Sequence, residues 1–131
     1  MTEDELKKRL KAFAVRIIKM VDKMPNTVSS RALASQIVRS GTSPSANYRA
    51  AYISKSPKDF LNKLKMVEEE LDETMHWLEI ISESEILPEH RLQPLYIENK
   101  ELLSIIIKSI VTTRKSLENK TGKNIPNQSI S

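Results

Sequence analysis

Apolar side chains recur mostly at steps of three, four or seven residues along three long stretches of the sequence. Such spacing places them on one side of an α-helix and is typical of helices packed in a bundle. The three seams are Leu6, Leu10, Phe13, Ile17, Met20 and Met24; Phe60, Leu64, Val67, Leu71, Leu78 and Ile81; and Leu92, Leu95, Leu102, Leu103, Ile106, Ile110 and Leu117. They predict the first, third and fourth helices of an all-α protein.

Prolines divide the chain between these stretches, at Pro25, Pro57 and Pro88. A proline ends a helix or occupies its first turn, because it lacks the backbone donor that a helix interior requires. The pattern therefore predicts an antiparallel up-and-down four-helix bundle. The predicted helices lie near residues 3–24, 27–54, 57–84 and 89–119, with ends uncertain by about 2–4 residues.

The second predicted helix carries a polar stripe in place of most of an apolar seam. Its members recur at steps of four and three residues, so they share one side of the helix. A buried amide must be hydrogen-bonded, and the stripe therefore predicts an internal polar network or a contact with another subunit. Trp77, beside the third seam, is a further candidate because a half-buried indole keeps its N–H bonded. The candidates are Gln36, Ser40, Ser43, Asn47 and Trp77.

Pro44 lies inside this second helix and predicts a kink, or a helix restart capped by Ser43. Gly41 and many alanines and serines surround it. Because these side chains are small, they allow a neighbouring helix to approach closely.

The totals fit one domain of ordinary core size: 131 residues, 39% apolar and 29% charged. We expect residues 1–122 to form the bundle, since Gly122 is a suitable residue to follow a helix, and residues 123–131 to form a flexible tail. The chain has no cysteine, which suits a reducing cytoplasm. No apolar run approaches the ~20 residues that span a bilayer. We therefore expect a cytoplasmic protein without membrane contact.

A net charge of +4 conceals a strong asymmetry along the chain. Residues 1–65 have a balance of +9, residues 66–89 a balance of −9, and residues 90–131 a balance of +4. One interpretation is that these charges complement each other between helices or subunits. The other is a basic surface for nucleic acid. Its candidate residues are Lys8, Arg9, Arg16, Lys19, Arg39 and Arg49.

The sequence contains little evidence for a catalytic or metal-binding motif. Glu73-Thr-Met-His76 has the spacing of one half of a di-iron site, but a second Glu-x-x-His is absent from the sequence, and the helical register turns His76 away from the seam. Gly41-Thr42-Ser43 lacks the Gly-Lys-Ser/Thr of a phosphate loop. We therefore predict neither catalytic residues nor a metal or other cofactor.

Several segments of helices 2 and 3 carry a family resemblance. They are Arg39-Ser-Gly-Thr-Ser43, Ser45-Ala-Asn-Tyr-Arg-Ala-Ala51, Lys58-Asp-Phe60 with Lys63, Val67-Glu-Glu-Glu-Leu-Asp-Glu-Thr74, and Trp77-Leu-Glu79. Through them the chain resembles small bacterial four-helix-bundle proteins known as 23S ribosomal RNA intervening-sequence proteins. The resemblance implies an antiparallel bundle that assembles as a homopentamer. Related accessory proteins of diversity-generating retroelements pair with a reverse transcriptase and bind nucleic acid through a basic surface.

Together, these observations favour a non-enzymatic, homo-oligomeric helical scaffold that binds RNA or a ribonucleoprotein partner. Two alternatives stay open: a protein-binding oligomeric adaptor without nucleic-acid affinity, and a metal-binding or enzymatic bundle.

Overall fold

Four α-helices make up the part of the chain that is described by the computed structural model, which covers residues 1–122, with side chains to residue 120. They are α1 (Glu3–Val21), α2 (Val28–Ala51), α3 (Pro57–Glu83) and α4 (Glu89–Gly122). This confirms the predicted all-α four-helix bundle. The expected tail, residues 123–131, lies outside the described residues.

Hydroxyl side chains cap the first three helices. Thr2 accepts the Glu5 backbone N–H at 3.1 Å, and Thr27 accepts that of Ser30 at 3.2 Å. Ser56 accepts the Asp59 N–H at 3.1 Å, immediately before Pro57 at the start of α3. Each cap satisfies a backbone donor that the first helical turn leaves without an intrahelical partner.

The second helix is continuous through Pro44. The predicted restart capped by Ser43 is therefore wrong. The predicted kink at Pro44 and the antiparallel direction of successive helices stay predictions. Pro44 itself is buried, so it adds apolar contact at a point where the helix lacks one backbone donor.

The core lies between the helices, each of which contacts two neighbours: α1 packs on α2, α2 on α3, α3 on α4, and α4 on α1. The three apolar seams supply most of it, as predicted. Met24 and Phe60, near helix ends, are only partly buried against this core.

Three buried polar side chains form hydrogen bonds between the helices of the core. Ser40 of α2 and Thr74 of α3 are buried, and their hydroxyl oxygens form a hydrogen bond at 2.9 Å. Asn99 of α4 is also buried. With its amide assigned from hydrogen bonding, Asn99 donates to the Leu71 carbonyl oxygen and accepts from the Met75 N–H, both at 3.1 Å. These bonds satisfy the buried groups and link α3 to both of its neighbours.

Candidate nucleic-acid interface

The six candidate cations lie on two helices. Four are on α1 and two on α2, and they divide into side chains that bind carboxylates of the same chain and exposed side chains that form no ion pair among the described residues. The first group is Arg9 and Arg39. The second is Lys8, Arg16, Lys19 and Arg49.

Arg9 joins α1 to α4. Its guanidinium binds Glu98 through two nitrogens, at 3.1 and 2.6 Å, and Glu101 through a third at 3.1 Å. Hydrogen bonding to Glu98 is the main cause that raises the pKa of Arg9 above its ordinary value. Because this planar fork is already matched to two carboxylates, Arg9 is a structural residue of the bundle.

Arg39 joins α2 to α3 in a similar way. It donates to Glu70 at 2.9 Å and also to Glu73. The Trp77 indole N–H donates to the same Glu73 carboxylate at 3.0 Å, so this half-buried indole is hydrogen-bonded, as expected. Two carboxylates of the acidic segment 66–89 therefore pair with a basic residue of α2. At this place, charges on neighbouring helices complement each other, as one interpretation of the sequence expected.

Lys8, Arg16 and Lys19 are exposed along α1. At 3.6 residues per turn they fall within about 80° of one another around the helix axis. Residues 6–21 of this helix contain no acidic residue, and among the described residues none of the three cations forms an ion pair. They therefore share one side of the helix, which we call the α1 basic face.

Arg49 is separate from that face. It lines an open hollow near the end of α2 together with Glu3, Lys7 and Tyr52. Lys7 pairs with Glu3 at 3.0 Å and lies 4.9 Å from the centre of the Tyr52 ring. Arg49 consequently has a mixed environment of acidic, basic and aromatic groups.

The polar stripe of α2 is not buried along its whole length. Ser40 is buried, Ser43 and Asn47 are half-buried, and Gln36 is exposed. The expectation of an internal network is therefore wrong for Gln36, because the stripe turns towards solvent at its start. A role in a subunit contact stays a prediction for these residues. The buried amide of the core is Asn99, which the sequence interpretation missed.

The acidic motif around His76 does not enclose a site. His76 is exposed, and its ring packs against Trp77 with centroids 5.1 Å apart. Within the described part of the chain, no group of three or more histidine, cysteine, aspartate or glutamate side chains has the geometry to hold a metal ion.

Residues 3–108 match the family model of the 23S rRNA-intervening sequence proteins. The chain belongs to this family. The earlier resemblance is thereby confirmed over most of the bundle, including the whole of α1 and the part of α4 up to residue 108.

A solved member of the same group has a similar fold. It is a protein of unknown function from the S23 ribosomal protein family of Bacteroides thetaiotaomicron, with 32% sequence identity and a TM-score of 0.78. The match covers 84% of the present chain and 98% of the other. A comparison with functionally curated proteins gives no significant match.

Among the described residues of this family member, no helix is long and apolar enough to cross a membrane. Family membership by itself brings no catalytic residue to any position of the bundle.

Proposed function

We propose that this protein is a non-enzymatic, homo-oligomeric scaffold that binds RNA, free or within a ribonucleoprotein, through the α1 basic face. The observation that carries the proposal is the difference between cations on one helix. Arg9 is bound by two carboxylates, whereas Lys8, Arg16 and Lys19 are exposed and have no ion pair among the described residues. Charges left in this state are available to phosphates.

Apolar residues on α4 support the oligomeric part of the proposal. Ile97, Ile107 and Val111 are 56%, 41% and 43% exposed. The helical repeat brings them within about 80° of one another, so they share the outer side of α4, where exposed Lys100 and Ser104 lie between Ile97 and Ile107. We call these three apolar residues the apolar strip of α4. A second copy of the chain is the proposed occupant, and the family resemblance favours a pentamer. A symmetric ring would repeat the α1 basic face in every subunit.

The proposed mode of binding is contact with phosphates, with little sequence preference. Only 5% of the residues are aromatic; Phe13, Tyr48 and Trp77 contribute to the core or pack against it. Stacking of many bases therefore has few platforms. Lysine and arginine contacts to phosphates release counterions, so binding should weaken steeply as salt is raised.

The test is the binding of a mixed-sequence single-stranded RNA, measured by fluorescence anisotropy between about 50 and 200 mM salt. The variant is Lys8→Glu/Arg16→Glu/Lys19→Glu, which leaves the Arg9 pair intact. The matched control, Lys55→Glu/Lys58→Glu/Lys120→Glu, makes the same change of charge at exposed lysines away from α1 and from the exposed apolar residues of α4. Circular dichroism and light scattering check the fold and assembly of both.

We expect the parent and control to bind in a salt-dependent manner and the α1 variant to bind much more weakly. Absence of RNA binding by the parent at every salt concentration would overturn the proposal and favour a protein-binding adaptor. Equal losses in the variant and the control would remove the assignment to the α1 basic face.

A further inference from the structure

The groove between α1 and α4 contains a second basic feature, at the opposite end from the Arg9 ion pairs. An open hollow of about 220 Å³ is lined by Lys19 of α1, Lys23 just after α1, and Arg91 of α4. Met20 and Leu87, both buried by more than nine-tenths, form its apolar floor. None of these five lining residues is acidic. We call this feature the α1–α4 basic hollow.

The contrast along this groove is informative. Arg9 and Arg16 are seven residues apart and so lie on nearly the same side of α1, and Lys23 follows two residues after the end of this helix. At the start of that side, Arg9 meets the carboxylates of Glu98 and Glu101 across the groove. At its end, Lys23 shares a hollow with Arg91, another cation. Along this groove, α4 thus presents acidic side chains near Arg9 and a basic side chain near Lys23.

Like charges that converge on one hollow repel each other, and an anion bound between them relieves that repulsion. The cations of α1 from Lys8 to Lys19 extend for about 17 Å at 1.5 Å per residue, and Lys23 follows in the turn after this helix. A single carboxylate occupies only one point of such a row, whereas an RNA strand presents a phosphate at every nucleotide. The geometry therefore favours a polyanion that follows α1 and ends in the hollow.

We infer that the α1–α4 basic hollow is a phosphate-binding subsite for RNA, in which Lys23 and Arg91 add contacts that continue the α1 basic face. This inference rests on the proposed function. It assigns a role to Arg91, on a helix where the sequence interpretation placed no nucleic-acid contact. Arginine suits this position because its planar guanidinium binds phosphate through two donors at once.

The test compares Lys23→Ala/Arg91→Ala with the parent in the same salt titration with single-stranded RNA. Each phosphate contact contributes about 0.7 to the slope of log K against log salt for single strands. Loss of both contacts should therefore reduce the magnitude of the slope by about 1.4. The matched control is Lys55→Ala/Lys58→Ala, which removes the same charge from exposed positions elsewhere and should change the slope much less. Arg91→Lys, which keeps the charge, should retain most of the slope that Arg91→Ala loses.

Failure of this inference can be distinguished from failure of the proposed function. An unchanged slope in Lys23→Ala/Arg91→Ala, with binding lost in Lys8→Glu/Arg16→Glu/Lys19→Glu, would overturn the subsite and leave the function standing. Equal decreases in the hollow variant and its control would also overturn it, because the effect would then be one of net charge. A parent protein that binds no RNA would overturn both.

Discussion

Gly41 of α2 lies directly against Ile17 of α1. A β-carbon placed on Gly41 would be 2.9 Å from Ile17 Cγ1 and 3.0 Å from its Cγ2. Both residues are buried within continuous helices, so neither backbone can move aside independently of its helix. The small residues of α2 thus permit the close approach of α1, as the sequence predicts.

Gly41→Ala should lower the thermal midpoint by several degrees. Overpacking of a filled core costs about 1–3 kcal/mol, which opposes the gain of about 1 kcal/mol from the better helix propensity of alanine. The midpoint is measured by circular dichroism at one protein concentration, because assembly makes it concentration-dependent.

Ile17→Ala provides the control for this prediction. It removes Cγ1 and Cγ2 and leaves only the Ile17 β-carbon, at 3.3 Å from the added atom. The cost of Gly41→Ala should therefore be smaller in the Ile17→Ala background than in the parent. Equal costs in both backgrounds would show that the two residues are not coupled.

Ser30 and Ser40 form a matched pair of buried hydroxyls in α2. The Ser40 hydroxyl is hydrogen-bonded to Thr74, whereas Ser30 Oγ has no hydrogen-bond partner among the described residues. Ser40→Ala should cost about 1 kcal/mol of unfolding free energy. Ser30→Ala should leave stability unchanged or increase it, because it removes an unsatisfied polar atom. Thermal melts of the two variants test this, and a larger loss at Ser30 would be inconsistent with the packing.

The raised pKa of Tyr48 predicts that the folded protein becomes less stable at high pH. Burial, together with a 3.0 Å hydrogen bond between its hydroxyl and that of Tyr52, raises the pKa of Tyr48 above its ordinary value of 10.0. Above that ordinary value the unfolded chain loses a proton that the folded chain retains. Stability present at lower pH is therefore lost as the pH rises further.

Tyr48→Phe removes this proton, so its thermal midpoint should fall less than that of the parent between about pH 9 and pH 11. The variant should be less stable than the parent at neutral pH, because it also loses the hydrogen bond to Tyr52. Melting curves at several pH values give the comparison. Parallel declines for the two proteins would contradict a contribution from Tyr48.

The apolar strip of α4 leads us to expect that the protein forms a homo-oligomer. The parent should elute with a light-scattering mass about five times its chain mass of 15.0 kDa, and Ile107→Glu/Val111→Glu should dissociate it, because burial of two carboxylates in an apolar contact is costly. Val28→Glu is the control, since Val28 is 77% exposed at the start of α2. A monomeric parent at micromolar concentration, or a variant with unchanged mass, would contradict this.

Local patterns predicted most of the fold. The caps at Thr2, Thr27 and Ser56 depend only on residues three positions ahead, and the apolar seams depend on helical periodicity. Asn99 was missed because it interrupts the α4 seam with a polar side chain whose partners are backbone atoms of α3. Those partners are defined only once the two helices have packed.

The candidate site could be predicted only in part for the same reason. Arg9 and Arg16 are equivalent in the heptad pattern, yet only Arg9 meets a carboxylate, and its partner Glu98 is 89 positions away in sequence. Arg91 was not predicted because its relation to Lys19 and Lys23 also depends on how α4 packs beside α1. Charge composition identifies a basic region, whereas tertiary packing decides which cations remain available.

The most direct test of RNA binding through the α1 basic face is ultraviolet crosslinking in the native cell. The protein is purified under denaturing conditions, and the RNA attached per molecule is compared between the parent, Lys8→Glu/Arg16→Glu/Lys19→Glu and the Lys55→Glu/Lys58→Glu/Lys120→Glu control. We expect RNA on the parent and the control and little on the α1 variant. Absence of attached RNA from the parent, or equal amounts on all three proteins, would contradict the account.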